Sequence, residues 1–331
     1  MSTLIRTPRR WGVTAGVLAA AVVALAGCSS PAQAPAEPAN AGPRTIQTEQ
    51  GAIEVPATPQ RIVNLSGGLG GYLYALDAPV VATDTRVLGV TNLQGGFPPA
   101  WASKAQAAGT QALPAGEQLN IEAVAAAKPD LIIGGGQGIT AVQAKENYDR
   151  LKAIAPTVLV PQNVTAWQDQ LRRVAEASGK GAEVDGLISG YENKLAQTRS
   201  AITVPQGAFA VLLSLPADKP YLVPETAALP QQLTALGFQP DGVLAKAGNP
   251  QLFGSGDSFE VSPELLGTVA SAPNLFVINL GGPTLDQLEA DPRYSSLPAF
   301  RSGNLHELPA TSYRPDLDGA TNTLTVIDQE F

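Results

Sequence analysis

Apolar residues between positions 183 and 202 recur at steps of three and four. Val184, Leu187, Ile188, Tyr191, Leu195 and Ile202 are separated by Asp185, Glu192, Asn193, Lys194, Gln197 and Arg199. That spacing gathers the apolar set on one face of an α-helix. At 1.5 Å per residue it predicts a rod about 30 Å long, the width of a small domain. A similar pattern stands on both sides of the rod. Before it, LNIE at 119–122 opens an apolar helix that is followed by KPDLIIG at 128–134; after it, VSPE at 261–264 opens another, followed by APNLFVIN at 272–279. Each copy reads as a capping residue, an acid in the first turn, a helix, a proline stop and a buried strand. The pattern predicts two halves and one connecting rod.

The remaining elements fit that division. Residues 45–55, with Ile46, Ile53 and Val55 around Gln50-Gly51, predict a hairpin. RIVNLS at 61–66 predicts a short buried strand, and GGLGG at 67–71 a turn. Tyr72, Leu73 and Leu76 then continue as a helix, with the next strand at 80–83. Strand, turn, helix and strand make a βαβ unit with a right-handed crossover. Helices expected at 120–127, 148–154 and 167–178 alternate with strands at 131–134 and 157–160, with a second glycine turn at 134–138. Beyond the rod, strands at 208–213, 276–280 and 305–308 alternate with helices at 229–236, 265–270 and 320–327, and residues 294–300 read as a short helix or turn. The expected fold class is therefore α/β, with lobes at 45–182 and 203–331 joined by the helix 183–202. Ligands of such sheets gather at strand carboxyl ends, here the glycine-rich turns.

The amino-terminal pattern is different. Arg6, Arg9 and Arg10 precede an apolar run at 11–25, too short to span a bilayer comfortably, and Leu-Ala-Gly-Cys follows at 25–28. This resembles a bacterial lipobox, which implies a signal peptide at 1–27, cleavage before Cys28 and its lipidation (palmitate among the acyl chains). An ordinary signal peptide or a signal anchor is the alternative reading. Residues 28–44 are rich in Pro and Ala and predict a flexible tether. Cys28 is the one cysteine, so no disulfide can form within a single chain. Loss of residues 1–27 removes three arginines and no acid, moving the formal charge from −8 to −11. An acidic body argues against nucleic acid.

Catalytic and metal chemistry find little support. Neither Gly68-x-Gly70 nor Gly134-x-Gly136 continues into a phosphate-binding fingerprint, since Leu73 and Ile139 stand where a third glycine would. His306 is the only histidine and Met1 the only methionine, so a transition-metal site lacks ligands and a Ser-His-Asp site would need His306 without a nucleophile elbow. His306 lies inside a strand pattern and reads as structural. No cofactor is expected. Glu122 and Glu264 each sit in a helix first turn, where a carboxylate stabilises the dipole; their matching places also suit a two-point contact with a two-fold partner.

Taken in order, RIVNLS at 61–66, NIE at 120–122, KPDLIIG at 128–134, LKAIAPTV at 151–158, the rod, Leu233 to Gly237, VSPE at 261–264 and LPAF at 297–300 with Gly303 cover almost all of the mature chain. The set resembles the iron-siderophore, haem and cobalamin-type substrate-binding lipoproteins of ABC importers. The resemblance implies two Rossmann-like lobes joined by one long helix, ligand in the groove between them, and no enzymatic activity. It implies a ferric siderophore as ligand, with haem or cobalamin as alternatives, and an extracytoplasmic, membrane-tethered receptor. It also implies docking onto a dimeric permease with its ATPase through Glu122 and Glu264. An extracytoplasmic enzyme and an envelope interaction protein are the readings from other classes. Candidate ligand contacts in loops after strands are Arg86, Arg293 and Arg314 as forked donors to anionic groups. Trp101, Trp167, Tyr221, Phe253, Tyr294 and Tyr313 are candidate flat walls. Asn274 departs from the family pattern, where an acid is common, and residues 84–110 and 240–258 follow no recognised pattern.

Overall fold

Unbroken apolar runs become strands buried on both faces. The computed structural model describes residues 42–217 and 219–331, so the expected signal peptide, Cys28 and most of the expected tether lie outside the described residues. In the first lobe five parallel strands stand in the order Gln111–Ala112, Val80–Thr83, Ile62–Asn64, Leu131–Gly135, Thr157–Val160. Ile62, Val63, Leu131, Ile132 and Ile133 are wholly buried, as expected of a parallel sheet covered by helices on each side. The second lobe is built on Ala208–Ser214, Asn274–Asn279 and Leu305–Leu308 in parallel. Tyr221–Leu222 and Phe259–Glu260 extend one edge antiparallel, and Gln239–Pro240 adds a short parallel pairing to the strand Ala208–Ser214. Among the described residues no strand is shared by the two sheets. The hairpin Arg44–Thr48 with Gly51–Val55 precedes both.

The rod is the helix Val184–Ala201, with Val184, Ile188 and Tyr191 buried and Leu187 and Leu195 partly buried against the core. It does not bridge the sheets alone. The closing helix Leu317–Glu330 packs along it and also touches the helices Gly67–Ala75 and Trp167–Ser178 of the first lobe. Ala320, Leu324 and Ile327 are wholly buried, so one apolar core runs from the first sheet, through these helices, into the second. The last helix of the chain is thus a second tie between lobes.

GGLGG at 67–71 is a helix start rather than a turn: the helix Gly67–Ala75 contains all four glycines. Their small size serves close approach. A Cβ at Gly67 would lie 2.3 Å from the Arg86 carbonyl oxygen, one at Gly70 2.9 Å from the Trp101 ring, and one at Gly71 1.8 Å from an Asp316 carboxylate oxygen. The second cluster is a true turn, with Gly135, Gly136 and Gly138 all at positive φ. It leads into the helix Ile139–Glu146, which the spacing of residues did not predict.

Candidate ligand-binding groove

Asp84 follows the strand Val80–Thr83 and is 2% exposed. Its carboxylate accepts from the Arg86 backbone N–H at 2.7 Å and from Arg86 Nε at 2.9 Å. Arg86 Nη1 donates to the Gly116 carbonyl at 3.0 Å and Nη2 to Gln143 Oε1 at 2.8 Å. The guanidinium is thereby fixed in one orientation on the first lobe. The second lobe carries a counterpart. Arg314 Nη2 donates to Asp257 Oδ1 at 2.9 Å, and the Tyr313 hydroxyl donates to the same oxygen at 2.9 Å. Burial alone would lower the Arg314 guanidinium, but the hydrogen bonds and charge of Asp257 outweigh it and hold the group above its ordinary value. Burial, and then the Asp257 charge, push the Tyr313 phenol well up, so it remains a donor. The arginine side chains are 27% and 21% exposed against 3% and 8% for their acids. Each cation therefore faces outward with its carboxylate behind it.

Both arginines line a cavity of about 360 Å³, with Gln137, Leu88, Ile139 and Thr140. Gln137 Nε2 spans the lobes to Asp257 Oδ2 at 3.4 Å. Gly68, Gly138, Ile139 and Thr140 also line it, so the helices Gly67–Ala75 and Ile139–Glu146 open toward it with the positive ends of their dipoles. Arg314, Gly89 and Ala310 are shared with a second compartment of about 570 Å³ lined by Pro98, Pro99, Trp101, Asn322, Asp316 and Asp318. Burial pushes the Asp316 carboxyl up to about 6, opposed by the Gly319 N–H and helped by the Asp318 charge. The groove is thus cationic at one end, and aromatic and acidic at the other.

Of the nine contacts expected from sequence, Arg86, Trp101 and Arg314 line this groove. Trp101 is 2% exposed and stacks on Tyr74 at 5.0 Å. Tyr313 stands behind Arg314, its ring 5.1 Å from the guanidinium carbon. Phe253 is exposed and edge-on to Tyr221 at 5.7 Å, in the loop whose Gly254 approaches Arg314; the pair flanks the groove without lining it. Trp167 lies elsewhere, edge-on to Tyr191 of the connecting helix at 4.8 Å and lining a separate hollow of about 250 Å³. Arg293 pairs with Asp291, which caps the helix Pro292–Ser295, and Tyr294 is buried in the second lobe beside Phe300. Those three serve packing and capping in this structure. Asp84, Asp257, Gln137 and Asp316 were not anticipated; only Asp84, two residues from Arg86, carried a local signal. Glu122 and Glu264 are exposed in the first turns of Ile121–Ala126 and Pro263–Val269. The Glu264 carboxyl is held below the usual range by its own N–H and the Ser262 hydroxyl. His306 packs beside the Phe276 and Phe331 rings with Nδ1 on Glu330, away from the groove. Among the described residues no group of three His, Cys, Asp or Glu could hold a metal ion.

Comparison with known proteins places this architecture. The family described as "Periplasmic binding protein" matches residues 62–311. The ferric enterobactin-binding periplasmic protein FepB of Escherichia coli O6:H1 is 30% identical, over 85% of this chain and 89% of that protein. Among solved structures, holo-ViuP superposes with a TM-score of 0.73 at 24% identity, covering 87% of this chain and 95% of that one. A periplasmic binding protein component of a ferrichrome ABC transporter from Bacillus subtilis superposes with a TM-score of 0.66 at 19% identity, covering 86% and 98%. Both structural likenesses concern the fold.

Proposed function

The chain belongs to the periplasmic binding protein family, and from that premise we propose that it captures a ferric siderophore in the inter-lobe groove and delivers it to an ABC importer. Members of this family bind their substrates and do not transform them. The observation that carries the choice of ligand is the pair of fixed guanidiniums, Arg86 and Arg314, on opposite lobes of one cavity into which two helix amino-termini open. Forked donors and helix ends favour an anionic chelate whose oxygens bind iron and carry the charge outward. Each compartment falls within the range of about 300–1,000 Å³ usual for small-molecule sites. The apolar residues Leu88 and Ile139, 48% and 61% exposed, would cover the organic periphery of such a ligand. The relative FepB is named for ferric enterobactin, which is an iron chelate of this kind. Iron is cargo held by its chelator.

Anchoring through Cys28 places the receptor at the outer face of the membrane, where its tether lets it reach the permease. Glu122 and Glu264 then dock on the two halves of that permease, and the permease works with its ATPase.

The test is a titration of the purified chain with ferric enterobactin, ferrichrome, haem and cobalamin, read by intrinsic tryptophan fluorescence. Ferric enterobactin is expected to bind most tightly and to alter the Trp101 signal, with Trp101→Phe removing that change. Saturable binding of haem or cobalamin alone would refute the proposal.

A further inference from the structure

Residues 87–91, between the first-lobe strands Val80–Thr83 and Gln111–Ala112, reach over to touch the second lobe. Val90 N–H closes a turn onto the Val87 carbonyl at 3.0 Å, and Gly89 within it has φ +74°. A Cβ built on Gly89 would lie 2.4 Å from Ala310 Cβ and 3.0 Å from Leu280 Cδ2. Both partners belong to the second lobe: Leu280 follows the strand Asn274–Asn279, and Ala310 begins the short helix Ala310–Ser312. The backbone of one lobe therefore rests directly on the side chains of the other, with no room for a methyl group. Val87, Gly89 and Val90 line both compartments of the groove, as does Ala310. Arg86 lies three residues before Gly89 and Arg314 four residues after Ala310, so each guanidinium is tied by a short segment to this contact.

We infer that Gly89 is the spacer that sets the lobe separation across the groove, and hence the gap between Arg86 and Arg314, making it a specificity-determining residue for anionic over uncharged iron chelates. Two cations act together on an anion only while both lie close to it. Widening the gap admits water and weakens that joint attraction steeply, whereas an uncharged chelate held by apolar walls loses less. The selectivity half of this inference rests on the iron-chelate reading; the spacing half does not.

The experiment uses the full chain carrying Cys28→Ser and nitroxide labels at Lys145→Cys and Glu289→Cys, exposed positions of the two lobes, with ligand-free distances measured by pulsed electron resonance. Gly89→Ala is expected to lengthen the distance. Ala310→Val, which adds bulk from the opposite lobe, is expected to lengthen it too, and adding Ala310→Gly combined with Leu280→Ala to Gly89→Ala to restore it. Affinity for ferric enterobactin should fall about tenfold in Gly89→Ala while that for ferrichrome changes by less than about threefold. Unchanged distances in both single variants would overturn the spacer. A Gly89→Ala effect that Ala310→Gly combined with Leu280→Ala fails to relieve would also overturn it, since backbone strain at positive φ would then be the cause. Equal losses for both chelates would overturn the selectivity claim. Restored distances with neither chelate bound by the parent would support the spacer and refute the iron-chelate reading.

Discussion

Asp316 bears an electrostatic penalty beside the groove. It caps the closing helix through a 2.8 Å bond from the Gly319 N–H, yet burial raises its carboxyl from 3.8 to about 6. The folded chain therefore binds this proton more tightly than the unfolded chain. Its contribution favours folding most below the unfolded value, declines as pH rises toward 6, and is constant above that. Asp316→Asn keeps the capping acceptor and removes the charge. It is expected to stabilise the protein by about 2 kcal/mol at pH 7.5 and by little at pH 4, read from urea midpoints at the two pH values. At this scale the sequence pointed to Arg86 and Arg314, which line the groove, but not to what holds them. Asp257 stands 57 positions from Arg314, and no spacing rule links residues that only folding brings together. The same blindness misplaced Trp167, Arg293 and Tyr294, because an aromatic or basic residue near a helix start looks alike whether it caps, packs or meets a ligand.

Glycine has opposite meanings in two helices. In the connecting helix, Gly186 and Gly190 are exposed, and nothing lies within 4 Å of a Cβ added at either. Gly186→Ala and Gly190→Ala should each stabilise by about 0.5–1 kcal/mol, raising the melting temperature while leaving ligand affinity unchanged. In the helix Gly67–Ala75 the same exchange at Gly71 would drive a methyl into Asp316, with 1.8 Å available. Gly71→Ala should lower the melting temperature and loosen the tie between this helix and the closing one, checked by hydrogen exchange at the amides of residues 317–320. The long elements were readable because their periodicity runs over several turns. The helices Ala102–Ala107 and Leu285–Ala290 were not, since six residues complete fewer than two turns and neither carries the full flanking pattern, an acidic first turn before a proline stop and a buried strand, that marked the equally short Ile121–Ala126. GGLGG was misread because a glycine run signals either a turn or a close approach, and only the neighbouring elements decide which.

At the scale of the molecule, the division into two α/β sheets about a rod was legible because parallel strands must be buried on both faces and so stand out as apolar runs. The groove was less so. Its walls come from segments at 86–92, 98–101, 137–140 and 309–319, whose meeting depends on how the lobes are set together, and the closing helix helps to set them. Docking is a property of the same scale. With Glu122 and Glu264 both exposed, exchanging them for lysine should abolish uptake in cells while leaving ligand affinity in solution unchanged, and a parallel fall in affinity would assign them another role. In the proposed function, recognition rests on two guanidiniums, one on each lobe. The decisive comparison is the affinity for ferric enterobactin of the parent, Arg314→Gln and the paired variant Asp257→Asn with Arg314→Gln. The single change leaves the buried Asp257 carboxylate without its cation and should cost about 3 kcal/mol of stability, whereas the pair should melt near the parent. Both should bind the chelate about tenfold or more weakly than the parent. A paired variant that folds and binds as the parent does would contradict the account.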